Sequence, residues 1–323
     1  MYDIRAHDAP TAYHEALGLM RVVAKEESTR NGKVWAIPTP FFLTIRHPTR
    51  RVIRCPIRNA NPFFHIMETV WMFAGRRDVE WLSKFNRGIE QYADGGIIHG
   101  AYGYRWLRQW GNQISRIVGQ LRADPNSRQT VLTMWDPGSD LELLWRDRPC
   151  NTHIYFRILD DKLHMTVCNR SNDLVWGMFG ANVVHMTYLQ ELVATAIGVE
   201  LGDYNVFTNN LHFYQNVYPN GAEIWNNLIE GPNPYPYDSF PILSYYGLLH
   251  TFLEDCQWFV MGEWDRIDSP WLKSVAKPMH DAYLCKTLEE RRQHALLVED
   301  KVWQKAAIEW LERIYAKKEL SNR

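Results

Sequence analysis

Apolar and polar positions recur along this chain with two periods, and the periods divide it into elements. Tyr13, Ala16, Leu17, Met20 and Val23 fall on one face of a 3.6-residue period and predict an amphipathic first helix. The same spacing predicts a helix over 62–74, carrying Phe63, Met67, Val70 and Trp71. A third helix carries Ile114, Ile117, Val118 and Leu121 and stops near Asp124-Pro125. The stretches 130–135, 152–158 and 162–168 are short and rich in Thr, Val, Ile, Tyr and Phe, whose branched or flat side chains suit a pleated surface. They read as strands, and Asp160-Asp161 between the last two marks a hairpin. A long buried helix is predicted over 182–197 and another strand over 201–208. Gly, Pro, Asn and Tyr dominate 216–244, and helices return at 245–260 and 291–317. In the last, Trp303, Ala307, Trp310, Leu311 and Ile314 form one stripe, expected to pack on the body or on a partner.

Composition narrows the class. The 323 residues are 46% apolar and 23% charged, which is ordinary for a globular protein with a large core. A net charge of −1 implies no basic surface, so no nucleic-acid partner is expected. Cys55, Cys150, Cys168, Cys256 and Cys285 are scattered without a CxxC pair, which indicates neither a zinc site nor a disulfide framework. Met1 to Arg5 lacks an apolar signal core, and no run reaches about 18 apolar residues. A soluble cytoplasmic protein with no membrane contact is expected.

The chemistry concentrates in two polar runs. Trp145-Arg146-Asp147-Arg148-Pro149-Cys150-Asn151 holds a cysteine near two arginines, which should make it lose its proton more easily than a free thiol of pKa about 8.5. Taken alone, a cysteine such as Cys150 is more often a small buried hydrophobe. In Asn169-Arg170-Ser171-Asn172-Asp173, an arginine fork followed by a hydroxyl suits a phosphate. The predicted hairpin brings the two runs to neighbouring strand ends. Asn182 either reads a nucleobase edge or caps a helix. His212 and Tyr214 share one face if their segment is extended. Glu68, alone among apolar neighbours, either has a raised pKa suited to proton transfer or points to solvent.

In this order Glu68, Tyr102, Arg128, Cys150, Arg170-Ser171, Asp173, Asn182 and His212-x-Tyr214 resemble the thymidylate synthase family over residues 12–216. The matching pieces are Glu68-Thr69-Val70-Trp71-Met72-Phe73-Ala74-Gly75, Asp124-Pro125-Asn126-Ser127-Arg128, Pro149-Cys150, Arg170-Ser171-Asn172-Asp173 and Leu211-His212-Phe213-Tyr214. The resemblance implies an α/β (α+β) fold, a mixed sheet sandwich, with residues 1–216 as catalytic domain and 217–323 as a divergent, mostly helical extension. It also implies a homodimer in which Arg128 reaches the partner's phosphate site. Cys150 would add to C6 of a pyrimidine nucleoside monophosphate, and C5 would take a one-carbon unit from 5,10-methylenetetrahydrofolate. Glu68 would manage proton transfer at the base carbonyl, and Tyr102 would assist removal of the C5 proton. Arg170, Ser171 and Arg128 would hold the 5′-phosphate, and His212 with Tyr214 the sugar 3′-hydroxyl. Asn182 would read the base and Asp173 face the pterin.

Departures from the family pattern bear on the outcome. Gln129 stands where synthases have a second arginine, Asn151 where they usually have histidine, and Ile89 where an active-site tryptophan falls. Met178-Phe179-Gly180-Ala181-Asn182 replaces Leu-Pro-Phe-Asn with one extra residue. The N-terminal phosphate loop is reduced to Thr29-Arg30-Asn31-Gly32, leaving Arg30 as a phosphate candidate, and the apolar closing tail is replaced by Leu320-Ser321-Asn322-Arg323. A synthase excludes water and delivers hydride to the methylene left on C5, whereas a hydroxymethylase lets water add. Loss of shielding aromatic and tail favours the hydroxymethylase. Asparagine at 182 favours deoxyuridylate over deoxycytidylate or cytidylate, since its amide pairs with uracil N3–H and O4. Phage enzymes that make hypermodified DNA bases and antibiotic-pathway enzymes acting on ribonucleotides belong to this wider group. A thymidylate synthase and a non-catalytic nucleotide- or RNA-binding homologue are the alternatives.

Overall fold

A computed structural model describes residues 1–141, 147–218, 220–226, 238–243 and 248–321. Trp145 and Arg146 of the cysteine run, part of the turn-rich 216–244 stretch, residues 245–247 of a predicted helix, and Asn322-Arg323 lie outside the described residues. Ten strands form two sheets: β1 Tyr2–Ala6, β2 Lys25–Thr29, β3 Gly32–Ala36, β4 Phe41–Ile45, β5 Val131–Thr133, β6 Asn151–Leu159, β7 Lys162–Asn169, β8 Asn172–Asp173, β9 Glu200–Thr208 and β10 Leu211–Tyr214. The larger sheet runs β1-β4-β9-β7-β6-β5 and the smaller β2-β3-β10-β8. Parallel pairs (β1 with β4, β7 with β9) and antiparallel pairs (β4 with β9, β6 with β7) occur in one sheet, so the fold is mixed α/β.

The hairpin read from Asp160-Asp161 is present. Both residues take positive φ, 50° and 56°, the conformation that turns two strands back in register. The parallel pairing of β7 with β9 needs a crossover, and the helix Val183–Ile197 supplies it. That helix closes on Gly198 at φ 92°, where a side chain would be strained. Leu163, Met165 and Val167 of β7 and Tyr204 and Val206 of β9 alternate into the core. On the other face Thr166, Cys168 and Asn205 are half-buried, and Val131 and Tyr155 are exposed.

The helix Pro62–Phe73 begins where Asn61 Oδ1 accepts from the Phe63 and Phe64 backbone N–H groups, with Pro62 at its first position. Every residue of it except His65 is buried, so it is apolar all round rather than on one face. The cause is enclosure: it packs on Val183–Ile197, Leu249–Met261, Lys277–Leu284 and Lys301–Ser321. Phe63 meets Tyr283 and Trp310, and His65 meets Trp303. At roughly 1.5–3 kcal/mol for each large apolar side chain taken fully from water, Phe63, Trp71 and Phe73 fix this helix, and with it Glu68.

One expectation fails, and four strands were not foreseen. The helix read over 291–317 is two, Leu288–Leu296 and Lys301–Ser321, because buried Asp300 turns its carboxylate onto the N–H groups of Val302 and Trp303 and starts a new helix. Strands β1 to β4 were not legible from periodicity. Strand β2 is exposed along its whole length and so carries no alternation to read. Among the described residues no helix is long and apolar enough to cross a membrane.

Candidate active site

The β6–β7 hairpin pairs Asn151 with Asn169, so Cys150 and Arg170 meet at its open end. Arg170 N–H donates to the Cys150 carbonyl at 2.9 Å. Its guanidinium donates to the carbonyls of Pro149 (3.0 Å) and Arg148 (3.1 Å) and lies 3.8 Å from Cys150 Sγ. Arg170 therefore shapes the loop that presents the cysteine and also puts positive charge beside the sulfur. The expected lowering of the thiol pKa is not found. Burial pushes the Cys150 thiol up, and although Arg170 and Arg30 oppose it, Asp147 and Asp173 reinforce it. Desolvating a thiolate outweighs two guanidinium groups whose field two carboxylates partly offset.

Four more groups surround this junction. Asn151 is fully buried, and among the described residues neither polar atom of its side chain has a hydrogen-bond partner. Tyr102 places its hydroxyl on the backbone beside the sulfur, accepting from Asn151 N–H at 3.4 Å, and burial holds it protonated. Asp147 accepts from Gly100 N–H at 2.7 Å, and burial raises its pKa. Its charge reaches Glu68, Tyr102 and Cys150, which places the four groups close together. Glu68 is buried, not solvent-facing, and burial followed by Asp147 pushes its carboxyl to about 8. It is a protonated acid at neutral pH. Its Oε2 lies 3.5 Å from His185 Nε2. Burial lowers that imidazole to about 3, so it is neutral.

The other wall is built by β8, β10 and the segment between β8 and the crossover helix. Strand β10 is extended as required, and the His212 and Tyr214 rings meet edge to face at 4.9 Å. His212 is registered against Asp173 across the parallel β10–β8 pair, and its Nδ1 pairs with Asn210 Oδ1 at 2.9 Å. Asp173 accepts from Trp176 N–H at 2.6 Å and from the Tyr218 hydroxyl, and burial raises its pKa against the pull of His212. The extra residue expected before Asn182 is taken up in a π-helix, Leu174–Asn182, whose wider turn holds one residue more than an α-turn. Asn182 is not a helix cap. Its backbone is helical and its side chain Nδ2 donates to Asn172 Oδ1 at 3.3 Å, so the base-reading alternative survives. Gly177 leaves room for this pair, because a Cβ on it would lie 2.4 Å from Asn172 Oδ1 and the Asn172 side chain would have to turn away.

Arg30 is exposed on the β2–β3 turn, with its charge reaching Cys150, and neighbouring Asn31 donates to the Tyr214 hydroxyl at 3.3 Å. Ser171 is half-buried between Arg170 and β8. Arg128 stands apart. It is exposed ahead of edge strand β5, where it makes no hydrogen bond or ion pair among the described residues. Ile89 packs on the core, and Tyr92 at the end of the same 3-10 segment, Arg87–Tyr92, is the aromatic that neighbours Tyr214, Asp173 and Asp147.

Sequence reasoning missed His185, Asp147, Tyr92 and Asn172. His185 was detectable: it is a polar residue in a helix read as buried, the criterion that picked out Glu68. Asp147 lay inside the quoted run and was passed over for its arginines. Among the described residues no cluster of histidine, cysteine or carboxylate could hold a metal ion. Arg58 is buried within reach of the Asp173 charge, one of its guanidinium nitrogens has no hydrogen-bond partner among the described residues, and it lines a cavity with Arg51, Arg54, Arg313, Glu309 and Phe179.

Comparison with known proteins shows the family. The thymidylate synthase family profile matches residues 57–236. A deoxyuridylate hydroxymethyltransferase of Pseudomonas phage M6 is 37% identical over 329 residues, covering 96% of this chain and 93% of that protein. One of Bacillus phage SP01 is 37% identical over 203 residues, 58% of this chain and 52% of that protein. A thymidylate synthase of Symbiobacterium thermophilum is 32% identical over 168 residues, 46% of this chain and 58% of that protein. With a likeness that runs almost end to end and a profile that spans the cysteine, arginine and histidine walls of the cleft, this chain belongs to the thymidylate synthase family and is a one-carbon transferase.

Proposed function

We propose that the protein hydroxymethylates C5 of deoxyuridylate through a transient bond between Cys150 Sγ and C6 of the ring. The observation that carries the reading is the junction of Cys150 with Arg170 at 3.8 Å, ringed by Glu68, Tyr102 and Asp147. 5,10-Methylenetetrahydrofolate, when bound, supplies the one-carbon unit, with Asp173 and Arg58 as the groups that would hold it. Arg170 favours the thiolate against burial, and the sulfur gives its electron pair to C6, which makes C5 nucleophilic. Tyr102 stands beside the sulfur to assist loss of the C5 proton. Arg170, Ser171 and Arg30 face the 5′-phosphate, and His212 with Tyr214 the sugar. Asn182 spends one N–H on Asn172, leaving its oxygen for uracil N3–H and its second N–H for O4.

Water addition as the last step is supported by the names of the phage relatives and by the family resemblance, which aligns Ile89 with the active-site tryptophan of synthases. The exposed Val131 and Tyr155 on the outer face of the larger sheet fit a homodimer that would carry Arg128 to a second copy's phosphate site. Mass spectrometry of the product from deoxyuridylate and methylenetetrahydrofolate tests the assignment. A hydroxymethyl product is expected. A methyl product would make the protein a synthase, and turnover only of deoxycytidylate or cytidylate would reassign its substrate. Absence of tritium release from 5-tritiated pyrimidine nucleotides would leave a binding protein.

A further inference from the structure

We infer that His185 is a positioning residue for Glu68, and that the two form a buried proton relay for the water-addition step. This inference rests on the hydroxymethylase reading. The two side chains approach to 3.5 Å between Nε2 and Oε2 and are 1% and 11% exposed. Among the described residues neither His185 Nε2 nor Glu68 Oε2 has another hydrogen-bond partner. Buried polar atoms left unpaired are costly and uncommon, so Glu68 Oε2 and His185 Nε2 facing each other call for a use. Glu68 is faced by Asp147, from the loop ahead of β6, and by His185 from the crossover helix. His185 is faced by the backbone of His65, one helical turn before Glu68, and the His65 ring in turn by Arg58. The His65 backbone favours an N–H on its side of the imidazole, which leaves Nε2 as an acceptor for Glu68.

A carboxyl that is already protonated cannot take a proton from water unless it passes its own proton on. With its proton on Oε2, directed at His185, Glu68 keeps Oε1 free for the cleft. As the oxygen of water bonds to the methylene carbon on C5, the π pair of that C=C bond moves toward the ring carbonyl. The water O–H bond breaks and its proton goes to Oε1, while the Oε2–H bond breaks and that proton goes to Nε2. When the ring electrons return and expel Cys150 Sγ from C6 as thiolate, the proton on His185 passes back through Glu68 to the site. No other reactant is needed, and the carboxyl is neutral before and after.

His185→Gln keeps an acceptor of similar reach that cannot be protonated. The relay predicts that tritium release from 5-tritiated deoxyuridylate, which reports the earlier steps, stays at the parental rate with unchanged KM. Hydroxymethyl product should fall about tenfold or more at neutral pH. Product formation should then recover as pH rises through about 8, where Glu68 ionises and becomes a base unaided. The parent should show no such rise. Equal rates of release and product in the variant at every pH would overturn the relay, as would a parallel loss of both in a variant that melts at the parental temperature. If His185→Gln does not fold, His185→Asn carries the same test. A parent that releases no tritium refutes the hydroxymethylase reading itself, which separates the two failures.

Discussion

Replacing Glu68 by glutamine should stabilise the protein, and by an amount that grows with pH. Burial, with Asp147 second, moves this carboxyl from its ordinary 4.5 to about 8. An unfolded chain ionises Glu68 above pH 4.5, whereas the folded protein keeps it protonated until about 8. Between those values the unfolded state binds fewer protons, so stability is lost as pH rises, at about 1.4 kcal/mol for each pH unit. The full loss is on the order of 5 kcal/mol above pH 8, comparable to the whole net stability of many domains. Glutamine has the shape of the protonated acid and never ionises. His185 acts in the opposite sense, since its folded value of about 3 lies below the ordinary 6.5 and adds stability as pH rises. It is present in parent and variant and cancels in the difference. Urea unfolding of both proteins at one concentration should give similar stabilities near pH 5. By pH 8 the variant should lead by several kcal/mol, while its turnover is lost. A gap that stays constant between these pH values would mean that Glu68 is ionised in the folded protein, and the argument from burial would fail.

Other substitutions separate binding from chemistry. Cys150→Ala should abolish turnover and any covalent complex while deoxyuridylate still binds by calorimetry, because the phosphate and sugar contacts are untouched. Arg170→Ala should raise the nucleotide KM by one to two orders of magnitude, from about 1.5–3 kcal/mol per charged hydrogen bond. It should also lower kcat, because the Arg148 and Pro149 carbonyls lose their donor; an unchanged KM would remove the phosphate role. Asn182→Asp should shift base preference from uracil toward cytosine in competition assays, since an ionised carboxylate only accepts and loses the N–H offered to uracil O4.

Much of this architecture was legible where one physical rule acts alone. Asp160-Asp161 announced the β6–β7 hairpin, and that hairpin brought Cys150 to Arg170 with no other information. Pattern failed where two rules compete. The helix bearing Glu68 was readable as largely apolar, but its partners were not, because a sequence does not show how many elements will enclose a segment. The thiol of Cys150 looked acidic because arginines are visible in sequence and desolvation is not. Asn182 could be a cap or a reader until its backbone proved helical. His185 and Asp147 were visible residues whose meaning depends on partners far away in the chain.

The last long helix, Lys301–Ser321, sends Trp303 through the core to donate to the Tyr188 hydroxyl at 2.8 Å and sets Trp310 against Phe63. The wall behind the Glu68 carboxyl is thus made of residues that leave the ribosome long after that carboxyl does. A nascent chain must hold Phe63 and its neighbours uncovered until this late segment arrives, a period when chaperone capture and self-association compete with folding. A premature stop codon before residue 301 should therefore yield insoluble material instead of a shorter enzyme.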